Sequence, residues 1–252
     1  MRAETNTGYP MIRKHVPAPP FTFPPATEQV HQRRARLVRP HLPQPRKMKR
    51  LRLFNVRPIS VAWQGAGRSP AFKTLVANTA YIWRDGLVTD RRFGRMPPSF
   101  AERRAELRTY GLSLPASAPV WTTSPYAVWD AVDSAVDTMN DNMSVRGWHI
   151  VSTLPSSLSD WAWKLLVETF VEKQFVRRGA PVAWAVHALL GDEGKWIVQP
   201  HAHMIVPARR YRTTQAGQVG DRMVNWAGSR RQQDALRRAW ETMVGPLLSD
   251  TD

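Results

Sequence analysis

The sequence predicts an α+β domain: an antiparallel sheet of about five strands with helices packed on one face, preceded by a disordered basic arm. Three observations lead there. Short runs of strand character recur at 57–64, 146–154, 182–189 and 200–206. Between them lie longer segments with apolar residues at helical spacing, several opening at a serine. The first stretch of chain does neither.

Residues 1–52 are rich in Pro, Arg and His and carry no apolar periodicity. The pairs Pro19-Pro20 and Pro24-Pro25 remove backbone donors and resist both helix and sheet. This stretch reads as a disordered arm ending in Arg46, Lys47, Lys49, Arg50 and Arg52, with the folded domain at 53–252. The formal charge is +16 and the pI about 11.2. No acidic residue occurs from Gln29 to Arg84, so the basicity is concentrated in and just after the arm. Such a concentration points to nucleic acid or another anionic partner. The absence of cysteine excludes a disulfide framework and thiolate metal sites, and suits a reducing cytoplasm. No apolar run approaches the roughly 18 residues needed to span a membrane.

The first strand is expected at 57–64, where Ile59, Val61 and Trp63 alternate. Gly65 to Arg68 then make a turn, and Ser69 caps a helix with Pro70 at its first position. That helix runs to about residue 85, with Phe72, Leu75, Val76, Thr79 and Trp83 as its core stripe. Tyr81 falls on another side, with Thr74, Asn78 and Arg84 as its helical neighbours. A tyrosine on a polar face is a poor core residue and a candidate for chemistry. The segment 89–119 is Arg-rich and irregular, with a helix expected over 99–110.

Ser124-Pro125 opens a helix whose stripe is Trp129, Val132, Val136 and Met139. A strand at 146–154 ends at Pro155. Ser159 caps a longer helix that Gly179 closes near residue 178, with Trp163, Leu166, Val167, Phe170, Val171 and Phe175 inward. A polar segment at 211–220 leads to a last helix over 222–244.

The chemistry sits between the last two helices. His201 and His203 are two apart in a strand, so they project from one face. If 182–189 pairs with them as an antiparallel hairpin, His187 meets them from the neighbouring strand. Ala183 and Ala185 share its face, and their small size leaves room for a ligand. Three neutral imidazoles with open positions are the donor set of a catalytic metal site. By the usual affinity order such a set favours Zn, Ni or Co over Mg or Mn.

Several pieces, in order, resemble the MobA/MobL family of plasmid mobilization relaxases, members of the HUH endonucleases. They are Gly67-Arg68-Ser69, the segment Ala80-Tyr81-Ile82-Trp83-Arg84-Asp85-Gly86, Tyr126 to Ala131, Leu154-Pro155 with Leu158, Pro200-His201-Ala202-His203 with the upstream His187, and Trp226 with Arg237 to Trp240. The resemblance covers about 57–244 and implies an HUH relaxase-like fold. It further implies nicking of single-stranded DNA at a transfer origin, with Tyr81 as nucleophile and His187, His201 and His203 around a divalent metal, Mg or Mn. Accessory mobilization proteins and a separate helicase would be partners, in a bacterial cytoplasm. Where close relatives carry carboxylates before Leu-Pro, this strand offers His149, Val151 and Thr153. His149, Asp192 or Glu193 is therefore expected to act as base or ligand orienter. Arg46, Lys47, Lys49, Arg50, Arg52, Arg68 and Arg84 are expected on the DNA. Two other readings stand beside this one. A relaxase-fold accessory protein would bind DNA without cleaving it, and a His-metal hydrolase would use activated water and leave no protein-linked end. Were Tyr81 not the nucleophile, Tyr126 and Tyr211 would be next.

Overall fold

The structure is a computed structural model and describes residues 54–61, 73–138, 145–211, 219–222 and 226–248. The arm and the Gly67-Arg68-Ser69 turn lie outside the described residues, and with them Arg46, Lys47, Lys49, Arg50, Arg52 and Arg68. In chain order the elements are β1 (Phe54–Ile59), α1 (Leu75–Ile82), β2 (Thr89–Asp90), β3 (Gly94–Arg95), α2 (Ser99–Glu102), β4 (Leu107–Ser113), α3 (Ala127–Thr138), β5 (Gly147–Thr153), α4 (Asp160–Gln174), β6 (Val182–Leu190), β7 (Trp196–Pro207), β8 (Arg209–Arg210), β9 (Asp221–Arg222) and α5 (Arg230–Leu248). Five strands form one antiparallel sheet in the order β1-β5-β7-β6-β4, as the sequence leads one to expect of an α+β fold.

Strand alternation gives the sheet two different faces. On one, Trp148, Ile150, Val182, Trp184, Val186, Ala202, Met204 and Val206 form a buried core beneath α4 and α5. Phe170 of α4 meets Trp240 of α5 edge-to-face at 5.1 Å, and Phe54 of β1 packs on Phe170 at 6.0 Å. Truncating one such ring to alanine costs about 3–5 kcal/mol. The other face carries the histidines, and α1 and α3 cover part of it. Leu75, Val76, Trp83, Val128 and Trp129 pack there against Ala183, Ala185 and Ile205. Helices therefore lie on both faces rather than one. Ala183 and Ala185 make room for α1, not for a ligand, and that close approach is what brings Tyr81 to the sheet.

Some boundaries move, each for a tertiary reason. β1 occupies 54–59 rather than 57–64, because Phe54 belongs to the core under α4 and α5. The helix expected over 99–110 stops at Glu102. After a 3-10 turn at Arg104–Glu106 the chain becomes β4, paired along β6. No local propensity signals a strand whose partner lies some seventy residues away. α1 begins at Leu75 with Thr74 as its cap, whose hydroxyl accepts from the Ala77 amide at 3.1 Å. The Asp133 carboxylate takes the Leu75 and Val76 amides at 3.1 and 3.0 Å. The proposed Ser69-Pro70 start lies outside the described residues. α5 begins at Arg230, not near 222, because Asp221–Arg222 pairs with Arg209–Arg210. Among the described residues no helix is long and apolar enough to cross a membrane.

Candidate active site

β7 sits at the centre of the sheet and presents His201 and His203 on one face, as their spacing requires. In register, His201 pairs with His187 and Ala185 with His203 on β6, while Val151 of β5 lies opposite His203 from the other side. Ligand nitrogens of His187, His201 and His203 all lie within 4.8 Å of one another. The hairpin inferred from the sequence thus assembles the three rings in one place.

Hydrogen bonds fix the tautomers of two rings. A carbonyl oxygen can only accept, so His187 Nε2 donates to Ile82 O at 2.7 Å and His201 Nδ1 donates to Gln199 O at 2.7 Å. This leaves lone pairs on His187 Nδ1 and His201 Nε2. The third ring, His203, has a buried Nε2 with no hydrogen-bond partner among the described residues. His203 Nε2 lies beside those two nitrogens, of which His187 Nδ1 also faces Arg84 Nη2 at 3.1 Å, and three neutral imidazoles this close are a donor set that fits a divalent ion. Burial is the first cause that lowers the pKa of each ring. His187 falls to about 2 and His203 well below the ordinary value, while His201 is also lowered. All three are held neutral, the form that ligates.

Tyr81 lies on the last turn of α1, with its ring centroid 6.0 Å from that of His203 and 6.5 Å from that of His149. Arg103 and Arg57 both interact electrostatically with its hydroxyl. Burial lowers Arg57 to about 10, which keeps it cationic near neutral pH. Two positive charges thus converge on the phenol.

Arg84 does not serve where the sequence reading put it. It is 2% exposed, so it is no surface contact for DNA. Its Nη2 donates to Glu106 at 2.6 Å and approaches His187 Nδ1 at 3.1 Å, while its guanidinium lies 4.7 Å from the Tyr81 ring centre. The backbone explains this placement. Arg84 has φ 55°, its amide donates to Tyr81 O at 3.3 Å, and the Asp85 amide donates to Ala80 O at 2.9 Å. That pair of bonds is a Schellman cap, which ordinarily carries glycine at the left-handed position. An arginine held there accepts local strain and turns its side chain back under the helix end.

Of the three residues expected as base or orienter, only His149 is at the site. Its Nε2 lies 2.8 Å from His203 Nδ1. Asp192 and Glu193 occupy the exposed turn between β6 and β7, where Glu193 pairs with Lys195 at 3.0 Å. The carboxylate near the cluster is Glu106, which sequence reasoning missed because the 3-10 turn that holds it and the strand that follows read as one helix. Arg57, Arg103 and Asn78 were also given no role. Only Asn78 carried a signal, as a helical neighbour of Tyr81. The alternative nucleophiles are engaged elsewhere. Tyr126 donates to Asp85 at 3.0 Å, and the Tyr211 ring packs against Trp121 at 6.2 Å.

No curated protein matches the chain. A family model does, over residues 73–250, and that span includes Tyr81, the four site histidines and α5. With more than half of its length matched, and a histidine trio set beside a helix-borne tyrosine, this chain belongs to the MobA/MobL family.

Proposed function

We infer that the protein is a relaxase that nicks single-stranded DNA at a plasmid transfer origin through a covalent tyrosine intermediate. Family membership points to a relaxase of plasmid mobilization. The finer reading is supported by one observation above the others: the Tyr81 ring stands 6.0 Å from His203, beside a trio whose ligand nitrogens lie within 4.8 Å. A nucleophile and a phosphate-activating centre are useful to each other only at such range.

His187, His201 and His203 would hold a divalent cation, Mg or Mn by family and Zn, Co or Ni by donor preference. When bound, that cation would polarise the scissile phosphate and offset the charge developing on it. The chain supplies the rest. Tyr81 loses its proton to a base and its oxygen attacks phosphorus. The bond to the 3′ oxygen breaks, and that oxygen takes up a proton. The products are a 5′-phosphotyrosine and a free 3′-hydroxyl. Because a phosphodiester replaces a phosphodiester, attack by a 3′-hydroxyl reverses the step and rejoins a strand. Arg103 and Arg57, both interacting with Tyr81, would meet the negative charge that gathers on the phosphate. Arg84 and Glu106 hold the helix end and His187 in mutual register.

The test is incubation with a labelled single strand carrying the plasmid's transfer origin and Mn(II), followed by denaturing electrophoresis. A covalent adduct that Tyr81→Phe abolishes is the expected result. Cleavage without adduct identifies a hydrolase instead, binding without cleavage an accessory protein, and full adduct from Tyr81→Phe a different nucleophile.

A further inference from the structure

His149 is buried, lies outside the metal trio, and touches three groups whose demands conflict. Its Nε2 is 2.8 Å from His203 Nδ1. At its other nitrogen, Nδ1, Asn78 Oδ1 lies at 3.2 Å and Arg57 Nη2 at 2.9 Å. The Asn78 oxygen is an acceptor, and its orientation is fixed because Nδ2 donates to Thr74 O at 2.7 Å. Arg57 is only a donor. One nitrogen cannot satisfy both, so the two neighbours ask for opposite tautomers of a neutral ring.

The choice propagates. If His149 Nδ1 carries the proton and donates to Asn78, then Nε2 accepts from His203 Nδ1–H. His203 Nε2 is left with a lone pair. If instead Nδ1 accepts from Arg57, then Nε2–H donates to His203 Nδ1. The proton of neutral His203 then sits on Nε2, the atom that has no hydrogen-bond partner among the described residues. The first state can ligate a cation through that nitrogen and the second cannot.

We propose that His149 is a tautomer relay through which Asn78 primes His203 for metal and Arg57 opposes it. This rests on the reading of His187, His201 and His203 as a metal site. Moving between the states shifts one proton across the 2.8 Å bond from His149 Nε2 to His203 Nδ1, releases one from His203 Nε2 and takes one up at His149 Nδ1. The proton count and charge are unchanged, so this is a change of tautomer and not a titration. The relay also links the metal to the nucleophile. When His149 turns its Nδ1 proton to Asn78, Arg57 loses an acceptor there and keeps its electrostatic partner Tyr81. Asn78 and Arg57 are positioning residues, since neither ligates.

Opposite effects on affinity distinguish this from a merely structural role. Calorimetric titration of the full-length protein with Co(II) is expected to show Asn78→Ala binding ~10- to 100-fold more weakly than wild type, the usual range for a lost orienting partner. Arg57→Met is expected to bind several-fold more tightly. Wild-type protein needs no variant for a second readout. Long-range ¹H–¹⁵N spectra with Zn(II) bound are expected to show His149 protonated on Nδ1. Co(II) binding by wild type with equal affinity in both variants overturns the relay alone, as does His149 protonated on Nε2 with Zn(II) bound. No binding by wild type overturns the metal site and the relay together.

Discussion

Arg84 Nη2 lies 2.6 Å from Glu106 Oε2 and 3.1 Å from His187 Nδ1, so one buried guanidinium ties the end of α1 to the rim of the histidine trio. The Arg84 side chain is 1% exposed and that of Glu106 11%. Removing the carboxylate leaves a buried cation without its counter-charge, which costs about 3–5 kcal/mol. Glu106→Ala is therefore expected to lower stability by that order in urea unfolding. Arg84→Gly is expected to keep the helix cap while losing the same ion pair. Wild-type stability in Glu106→Ala would show that the pair is not held as the structure has it.

Tyr126 serves as the control for the nucleophile. It donates to Asp85 at 3.0 Å and lies over Trp83 with ring centroids 5.4 Å apart. Tyr126→Phe should cost on the order of 1 kcal/mol of stability for the lost hydrogen bond and retain the covalent adduct. Tyr81→Phe should abolish the adduct with little change in melting temperature. The measurement is adduct yield on labelled DNA alongside thermal unfolding.

Metal should stabilise the fold. A cation that binds the native trio and not the unfolded chain adds about 2.7 kcal/mol when present at a hundredfold excess over its dissociation constant. Addition of Mn(II) or Co(II) should raise the melting temperature, and EDTA should reverse the rise. His201→Ala should remove the response, since its lone pair is one of the three. A shift of equal size in that variant would place the ion elsewhere.

Acid should destabilise the metal-free protein from a recognisable starting point. Burial lowers His187 to about 2 and holds His149, His201 and His203 below the ordinary value near 6.5. Below about pH 6.5 the unfolded chain takes up protons at these rings that the folded chain does not. Their contribution to stability is thus present above that pH and is lost as pH falls toward the lowered folded values. Each such ring steepens the loss by about 1 kcal/mol per pH unit. Denaturant midpoints measured from pH 7.5 to 4.5 with EDTA should fall steadily. Midpoints that do not change over that range would mean the rings are exposed.

The basic arm should act on affinity and not on chemistry. If Arg46, Lys47, Lys49, Arg50 and Arg52 meet phosphates, each contact contributes about 0.7 to the slope of log affinity against log salt for a single strand. Deleting residues 1–52 should lower that slope and leave the nicking rate at saturating DNA unchanged. An unchanged slope would take the arm off the DNA.

Much of the site was legible because its residues obey short-range rules. A spacing of two puts His201 and His203 on one face, and a hairpin of ordinary length brings His187 to them. The side of α1 that carries Asn78 and Tyr81 was visible as a helical repeat, although Thr74 is the cap and Arg84 lies past the helix end in a left-handed turn. What stayed hidden depends on partners distant in sequence. β4 reads locally as part of a helix until it is laid along β6, and Glu106 goes with it. Arg57 meets His149 only because β1 pairs with β5 in that register. Asp192 and Glu193 lie near the histidines in the chain, yet a strand carries sequence neighbours away at about 3.3 Å per residue.

By itself, then, the sequence determined which side chains share a face, because helix and strand periods are fixed by backbone geometry. It also determined the charge that selects an anionic partner. The tertiary structure alone decided which faces meet. It packed α1 over Ala183 and Ala185, carried Tyr81 to the histidines, and turned Arg84 from a presumed DNA contact into an internal strut. Those outcomes follow from close packing and from the cost of burying an unpaired charge, which act across the fold and leave no local signature.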